Sequence, residues 1–267
     1  MLTLDQCSPE HIIPLALGGI NGIEIPVSRS HNSSLGSAID GAIANDFFIL
    51  MRRNKFDVRG HSGKRPVFVA KRSSNTKTGA PLQAELDQFE RELRVWDPVA
   101  RQHVADNSPE VLSLNISVKT DIELRFVAKT ALSAGYFVYG EAFRENVLHD
   151  ELRLLMNNTI QALGDRIYSI KTLGDDRFSK QTSPILQKFR EMCKAVAPCS
   201  IVGLVPNSRS LTTFVGILGE YVGMLNTPAK TTSFPNDGTF RWGHVIVFDR
   251  STGPRRLSFE EALRMVP

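Results

Sequence analysis

Within the first 51 residues the spacing of apolar side chains changes period, and that change limits the fold more than any other feature of the chain. Ile23, Ile25 and Val27 alternate with Gly22, Glu24 and Pro26, the pattern of a strand with one buried face. From Leu35 onward the apolar positions fall at Leu35, Ile39, Ile43, Phe47 and Met51, a single stripe along a helix, with Asn32, Ser33 and Ser34 as N-cap candidates. Upstream, Pro14 and the run Gly18-Gly19-Ile20-Asn21-Gly22 supply a turn, because glycine and asparagine tolerate positive φ. After a short extended opening, the segment predicts strand, turn, strand, helix.

Beyond it the signals are those of a mixed α and β chain. Residues 73–80 are small and polar and predict a loop or boundary, dividing the chain into 1–72 and 73–267. Leu112, Leu114, Ile116 and Val118 alternate as a strand. Ile122 to Tyr139 predicts a helix that Gly140 caps, and Leu148, Leu152, Leu155 and Met156 mark another ending near Gly164. A third helix is expected from Ile185 to Val196, stopped by Pro198, with strands at Ile201 to Val205, Thr212 to Met224 and His244 to Phe248. Ser258 and Glu261 have the spacing of a capping box for a last short helix. The expected class is therefore α+β, with 267 residues enough for one large domain or two small ones at roughly 150 residues each.

No apolar stretch reaches the roughly 20 residues of a membrane span. The N-terminus lacks a basic region followed by an apolar core, so a cytoplasmic protein is expected. Three cysteines, Cys7, Cys193 and Cys199, form no CxxC pair; Cys193 and Cys199 read as buried thiols. Charge is unevenly placed. Residues 1–51 hold five acids and one base, residues 52–72 hold eight bases and one acid, and the remaining 195 residues hold 23 bases and 22 acids. The block Arg52, Arg53, Lys55, Arg59, Lys64, Arg65, Lys71, Arg72 suits a polyanion. It also suits a solvated connector.

The string Glu10-His11-Ile12-Ile13-Pro14, then Gly18-Gly19, then Ser28-Arg29-Ser30-His31-Asn32, Leu35-Gly36 and Ile39-Asp40, resembles the HNH endonucleases. The branch concerned runs acid-His-Ile-Ile-Pro, Gly-Gly, a cysteine knuckle ending in Cys-Asn, Leu-Gly and Ile-Asp. The resemblance covers about residues 8–72 and implies an N-terminal ββα-metal module followed by an accessory α and β domain. It implies Glu10 as a metal ligand, His11 as general base and Asn32 as a helix-borne ligand, around one divalent metal acting on DNA. Mg²⁺ or Mn²⁺ suits oxygen ligands, and Zn²⁺ or Ni²⁺ could compete if an imidazole joined them. Histidine suits the base role because an ordinary pKa of roughly 6.5 leaves it neutral near pH 7. Alternation along a strand would send Glu10 and His11 to opposite faces, so their meeting at one metal comes from the family and not from periodicity.

The chain departs from that branch at the knuckle, where serines and His31 stand in cysteine positions, so no structural zinc is expected. His31 is either a remnant without a metal role or an extra ligand or phosphate contact. Arg52, Arg53, Lys55, Arg59, Lys64 and Arg65 are the candidate DNA contacts. His61 is a phosphate contact or a loop histidine; His103 and His149 read as surface or helix-face residues, and His244 as a packed one. Lys129-Thr130-Ala131-Leu132 with Tyr136, Tyr139 and Gly140 reads first as a core helix, and also echoes a helix downstream in the same nuclease branch. Gly216, Gly219 and Gly223 make no dinucleotide fingerprint. Three functions remain open: a metal-dependent DNA endonuclease, a degenerate HNH-fold DNA-binding protein, and an interaction or defence-system protein working through its C-terminal part.

Overall fold

The computed structural model describes residues 6–31, 37–104, 112–116, 118, 121–180, 183–235 and 237–266. It is α+β, built on antiparallel sheets. By their contacts the residues form two compact units, Met1–Ala44 with Thr120–Pro267, and Asn45–Lys119. Residues of the expected 1–72 module belong to both.

The first unit opens with a hairpin of β1 (Cys7–His11) and β2 (Glu24–Ser28), then α1 (Arg29–His31) and α2 (Ser37–Ala44). The hairpin register places Glu10 opposite Ile25 and His11 opposite Glu24. Between the strands the chain turns through Leu17 N to Pro14 O (2.8 Å) and Gly19 N to Pro14 O (3.0 Å). Both glycines are required there. A Cβ on Gly19 would lie 1.6 Å from Ile13 O, and Gly18, at φ +86°, sits where a Cβ would meet Leu218 at 2.8 Å. Ser200 Oγ donates to Leu17 O at 2.6 Å and accepts from Leu218 N at 3.1 Å, tying this turn to the main sheet.

That sheet has six strands in the order β13-β12-β9-β10-β11-β8: β8 (Leu173–Asp176), β9 (Ser200–Asn207), β10 (Ser210–Ile217), β11 (Glu220–Pro228), β12 (His244–Asp249) and β13 (Gly253–Ser258). Its helices are α4 (Ile122–Tyr139), α5 (Glu141–Asn146), α6 (His149–Asn157), α7 (Ile160–Leu163), α8 (Pro184–Ala195) and α9 (Phe259–Arg264). Alternation along β12 sends Val245 and Val247 into a cluster with Leu186, Phe189 and Met192 of α8 and Phe259 of α9. His244 goes the other way and meets Tyr139 of α4 edge-on at 5.2 Å. Helices therefore cover both faces. α4 touches β9, β10 and β11 on one side and α2 and β2 on another, so it is buried around most of its girth, Phe126, Val127 and Ala128 completely.

The helix expected from Leu148 to near Gly164 is two, α6 ending at Asn157 and α7 starting afresh under the Thr159 cap; other expected helix ends of this unit hold where cap chemistry sets them. Gly140 donates to Tyr136 O to close α4, Ser183 caps α8, and Ser258 with Glu261 forms the capping box of α9. The strand expected over Thr212 to Met224 is two, because Leu218, at φ +52°, and Gly219 turn the chain between β10 and β11. Cys193 is fully buried and Cys199 partly so; both are free thiols.

The second unit holds α3 (Phe47–Lys55) and a five-stranded sheet in the order β6-β5-β4-β3-β7: β3 (Phe68–Asn75), β4 (Pro81–Asp87), β5 (Glu92–Asp97), β6 (Gln102–His103) and β7 (Leu112–Ser113). The helix expected from Leu35 to Met51 is broken at Asp46, whose carboxylate caps Phe48 N and Ile49 N and starts α3 afresh. Residues 73–80 are no boundary: they finish β3 and turn into β4, with Asn75 Oδ1 accepting from Lys77 N and Thr78 N. Of the described residues in the alternating run at 112–118, Leu112 and Ser113 form β7, and Leu114, Asn115, Ile116 and Val118 lie outside regular structure.

Candidate functional site

Glu10 and His11 end β1 in the first unit, and their side chains take different partners. His11 Nε2 lies 2.9 Å from Glu24 Oε1, its cross-strand partner, and 3.0 Å from Asn21 Oδ1 in the turn. Both partners are oxygen acceptors, so Nε2 carries the proton, and in the neutral ring Nδ1 is the basic nitrogen. Carboxylate, imidazole and amide thus fix one tautomer and one ring orientation.

Glu10 turns toward α4 and α2. Lys129 Nζ lies 2.5 Å from Glu10 Oε1 and hydrogen-bonds both oxygens of Asp40 at 2.8 and 2.7 Å. Glu10 Oε1 is buried and makes no hydrogen bond among the described residues, so the ammonium answers its charge through proximity. Exposure ranks the group: the Lys129 side chain is 6% exposed, Glu10 11%, His11 19% and Asp40 23%. Lys129 is thus the most deeply buried of the four. Burial pushes the Asp40 carboxyl above its ordinary range; Lys129 pulls it back, Glu10 pushes it up further, and His11 is close enough to lower it.

Of the three expected metal ligands, Glu10 alone has a described side chain; Asn32 and the His31 side chain lie outside the described residues. Among the described residues no group of three or more His, Cys, Asp or Glu is placed to hold a metal ion. The donors present are the Glu10 and Asp40 carboxylates flanking one ammonium. Two carboxylates completed by water suit Mg²⁺ or Mn²⁺ and are a poor set for Zn²⁺.

Glu24, Asn21, Asp40 and Lys129 have no site role in a reading of the sequence alone. Glu24 is found once the hairpin register is known. Lys129 carries a local signal, a lysine between the apolar run Phe126-Val127-Ala128 and Ala131-Leu132 in the middle of a helix, where burial requires an anion beside it.

The basic block belongs to the second unit and is not uniform. Arg53 is buried in α3, and burial lowers its pKa. Asp57 receives Arg59 through two bonds, 2.9 and 2.8 Å, and Arg65 at 3.3 Å. Arg65 also pairs with Glu90 and stacks on Phe89, 4.1 Å from the ring centroid. Lys55, Lys64, Lys71 and Arg72 are exposed, and Arg52 is half-buried. Among the other histidines, His61 and His103 are exposed, and His103 packs edge-on against Trp96. His149 Nδ1 faces Val147 O at the start of α6. His244 is buried, accepts from Arg256, and stacks on Phe240 at 4.4 Å; burial and the Arg256 charge lower its pKa to about 4. No helix among the described residues is long and apolar enough to cross a membrane. Compared with family models, with curated proteins and with solved structures, the chain matches none.

Proposed function

We propose that this chain is an HNH-type endonuclease that hydrolyses phosphodiester bonds in DNA, with a divalent metal as its cofactor. The observation that carries the reading is His11, oriented by Glu24 and Asn21 at the end of a hairpin whose preceding residue is an acid. That is an acid and histidine of the ββα-metal pattern, with the histidine Nε2 held by a carboxylate.

His11 would take a proton from the attacking water as the water oxygen bonds to phosphorus and the bond to the sugar oxygen breaks. Glu24 stabilises the imidazolium so formed, a carboxylate being worth more to the charged ring than to the neutral one. A positioned base of this kind contributes typically ~10²- to 10⁴-fold. A divalent metal held by Glu10, with Asn32 and His31 as the further ligands the resemblance implies, supplies charge stabilisation to the phosphate and the departing oxygen. Lys55, Lys64, Lys71 and Arg72, exposed in the second unit, would add sequence-independent attraction for the DNA backbone.

A second reading, a catalytically degenerate DNA-binding protein, is favoured by Lys129, which already pairs with Glu10 and Asp40 and offsets one of their two charges. One experiment separates the two. Purified protein is incubated with supercoiled plasmid and Mg²⁺, Mn²⁺ or Ni²⁺, with and without chelator. Nicking or linearisation that needs metal and fails in His11→Ala supports the nuclease. Plasmid that is bound but left intact under every metal supports the degenerate reading.

A further inference from the structure

The seat between Glu10 and Asp40 already holds a cation, and that cation is covalently part of the chain. Three observations define it. Lys129 Nζ is within 2.5–2.8 Å of oxygens from both carboxylates. The lysine reaches them from α4, a helix buried around most of its girth, so the ammonium is fixed from beneath. Glu10 Oε1 has that ammonium in place of any hydrogen bond among the described residues. Two carboxylates facing one ammonium leave one negative charge in excess, beside His11.

We propose that Lys129 is an internal counter-ion that occupies the place of a divalent cation between Glu10 and Asp40, so that a metal engages these carboxylates only in exchange for the ammonium. The inference rests on the reading of Glu10 as a metal ligand and adds Asp40 and Lys129 to that site. Its physical basis is charge at short range. An ammonium and a divalent ion compete for the same oxygens, and both cannot sit within about 3 Å of them without a repulsion that far exceeds thermal energy at any realistic effective dielectric. Mg²⁺ and Mn²⁺ accept one or two protein carboxylates and complete their shells with water, which is what exchange at this seat would offer. The lysine therefore sets a threshold of metal concentration, and keeps two adjacent acids from repelling each other below it.

The test is Mn²⁺ affinity of the full chain, measured by isothermal titration calorimetry in metal-free buffer, for the parent, Lys129→Met, Lys129→Arg and the double variant Lys129→Met with Asp40→Asn. Lys129→Met is expected to bind Mn²⁺ at least about tenfold more tightly than the parent. Lys129→Arg should stay within about threefold, since it keeps the charge. The double variant should lose the gain. Equal or weaker binding in Lys129→Met, or a gain that survives Asp40→Asn, overturns the proposal. Should Lys129→Met fail to fold without metal, far-UV circular dichroism is followed during Mn²⁺ titration. Recovery of the parent spectrum supports exchange of ammonium for metal, and no recovery overturns it. Plasmid cleavage by the parent is scored separately. Cleavage without the affinity gain removes this inference and leaves the nuclease, whereas the gain without cleavage does the reverse.

Discussion

His11 and Glu24 face each other directly across the β1–β2 hairpin, with Nε2 and Oε1 2.9 Å apart. The geometry makes Glu24 the orienting partner of the proposed base. His11→Ala is expected to lower metal-dependent plasmid cleavage by ~10²- to 10⁴-fold. Glu24→Gln should lower kcat less than that, with KM for DNA unchanged, because an amide still holds the ring but stabilises the imidazolium poorly. Cleavage kinetics of both variants, with circular dichroism to confirm folding, check this; a His11→Ala protein that cleaves at the parent rate removes the assignment.

Gly19 carries a stability expectation independent of function. A methyl there would lie 1.6 Å from Ile13 O, and no side-chain rotation relieves a clash with backbone. The flanking Ile12, Ile13 and Leu17 are almost wholly buried, so the turn cannot shift without dragging core residues with it. Gly19→Ala should cost more than about 2 kcal/mol. Gly22→Ala, where a Cβ meets nothing within 4 Å, carries only the strain of its positive φ and serves as the control. Thermal or urea unfolding of the two variants gives the comparison.

His244 gives the expected pH dependence. Its pKa falls from 6.5 in an exposed chain to about 4 in the fold, through burial and the Arg256 charge. The unfolded chain therefore binds more protons than the folded one between those values, and stability rises with pH there. The contribution is fully present above pH 6.5 and is lost as pH falls toward 4, by as much as about 3 kcal/mol. His244→Gln should lower stability at pH 7 yet flatten its loss between pH 6.5 and 4. Urea midpoints at half-unit pH intervals read the slope; an unchanged slope in the variant means that other groups set it.

The parts of the fold that a linear reading recovers are those fixed by neighbours in sequence. The span of α4 from Ile122 to Tyr139 and the Ser258–Glu261 capping box depend on local periodicity and caps, and both are present. The break at Asp46 is hidden because the apolar stripe continues from Ile43 to Phe47 across it, although the decisive bond, from Asp46 to the amides of Phe48 and Ile49, is equally local. The sheet of β3 to β6 is hidden for a different reason: Lys71, Arg72 and Ser73 interrupt the apolar pattern of β3, and its turn residues look like a domain boundary. At the site, Glu10 and His11 stand in a recognisable string. Asp40 stands in the same string without a role, and acquires one only through Lys129, which is 89 positions away in sequence. Nothing short of the fold itself brings an α4 lysine to a hairpin acid.

The basic block separates into side chains that hold the second unit together and side chains turned to solvent, and the two sets should behave differently. Arg59 and Arg65 converge on Asp57, and Arg65 also reaches Glu90, so their charges are already answered. Lys55, Lys64, Lys71 and Arg72 are exposed. Replacing these four with glutamine should weaken binding to unrelated duplexes to a similar degree and reduce the slope of log affinity against log salt by about 0.9 for each phosphate that is no longer neutralised. Replacing Arg59 and Arg65 should instead loosen the loop around Asp57 and lower the melting temperature, with a smaller change in salt slope. Fluorescence anisotropy with two unrelated duplexes across a salt series measures the first effect, and thermal unfolding the second. If the four-fold variant overlays the parent at every salt concentration, the block is a solvated connector and DNA binding must come from the first unit, where Arg241 beside the half-exposed Trp242 would be the next residues to replace.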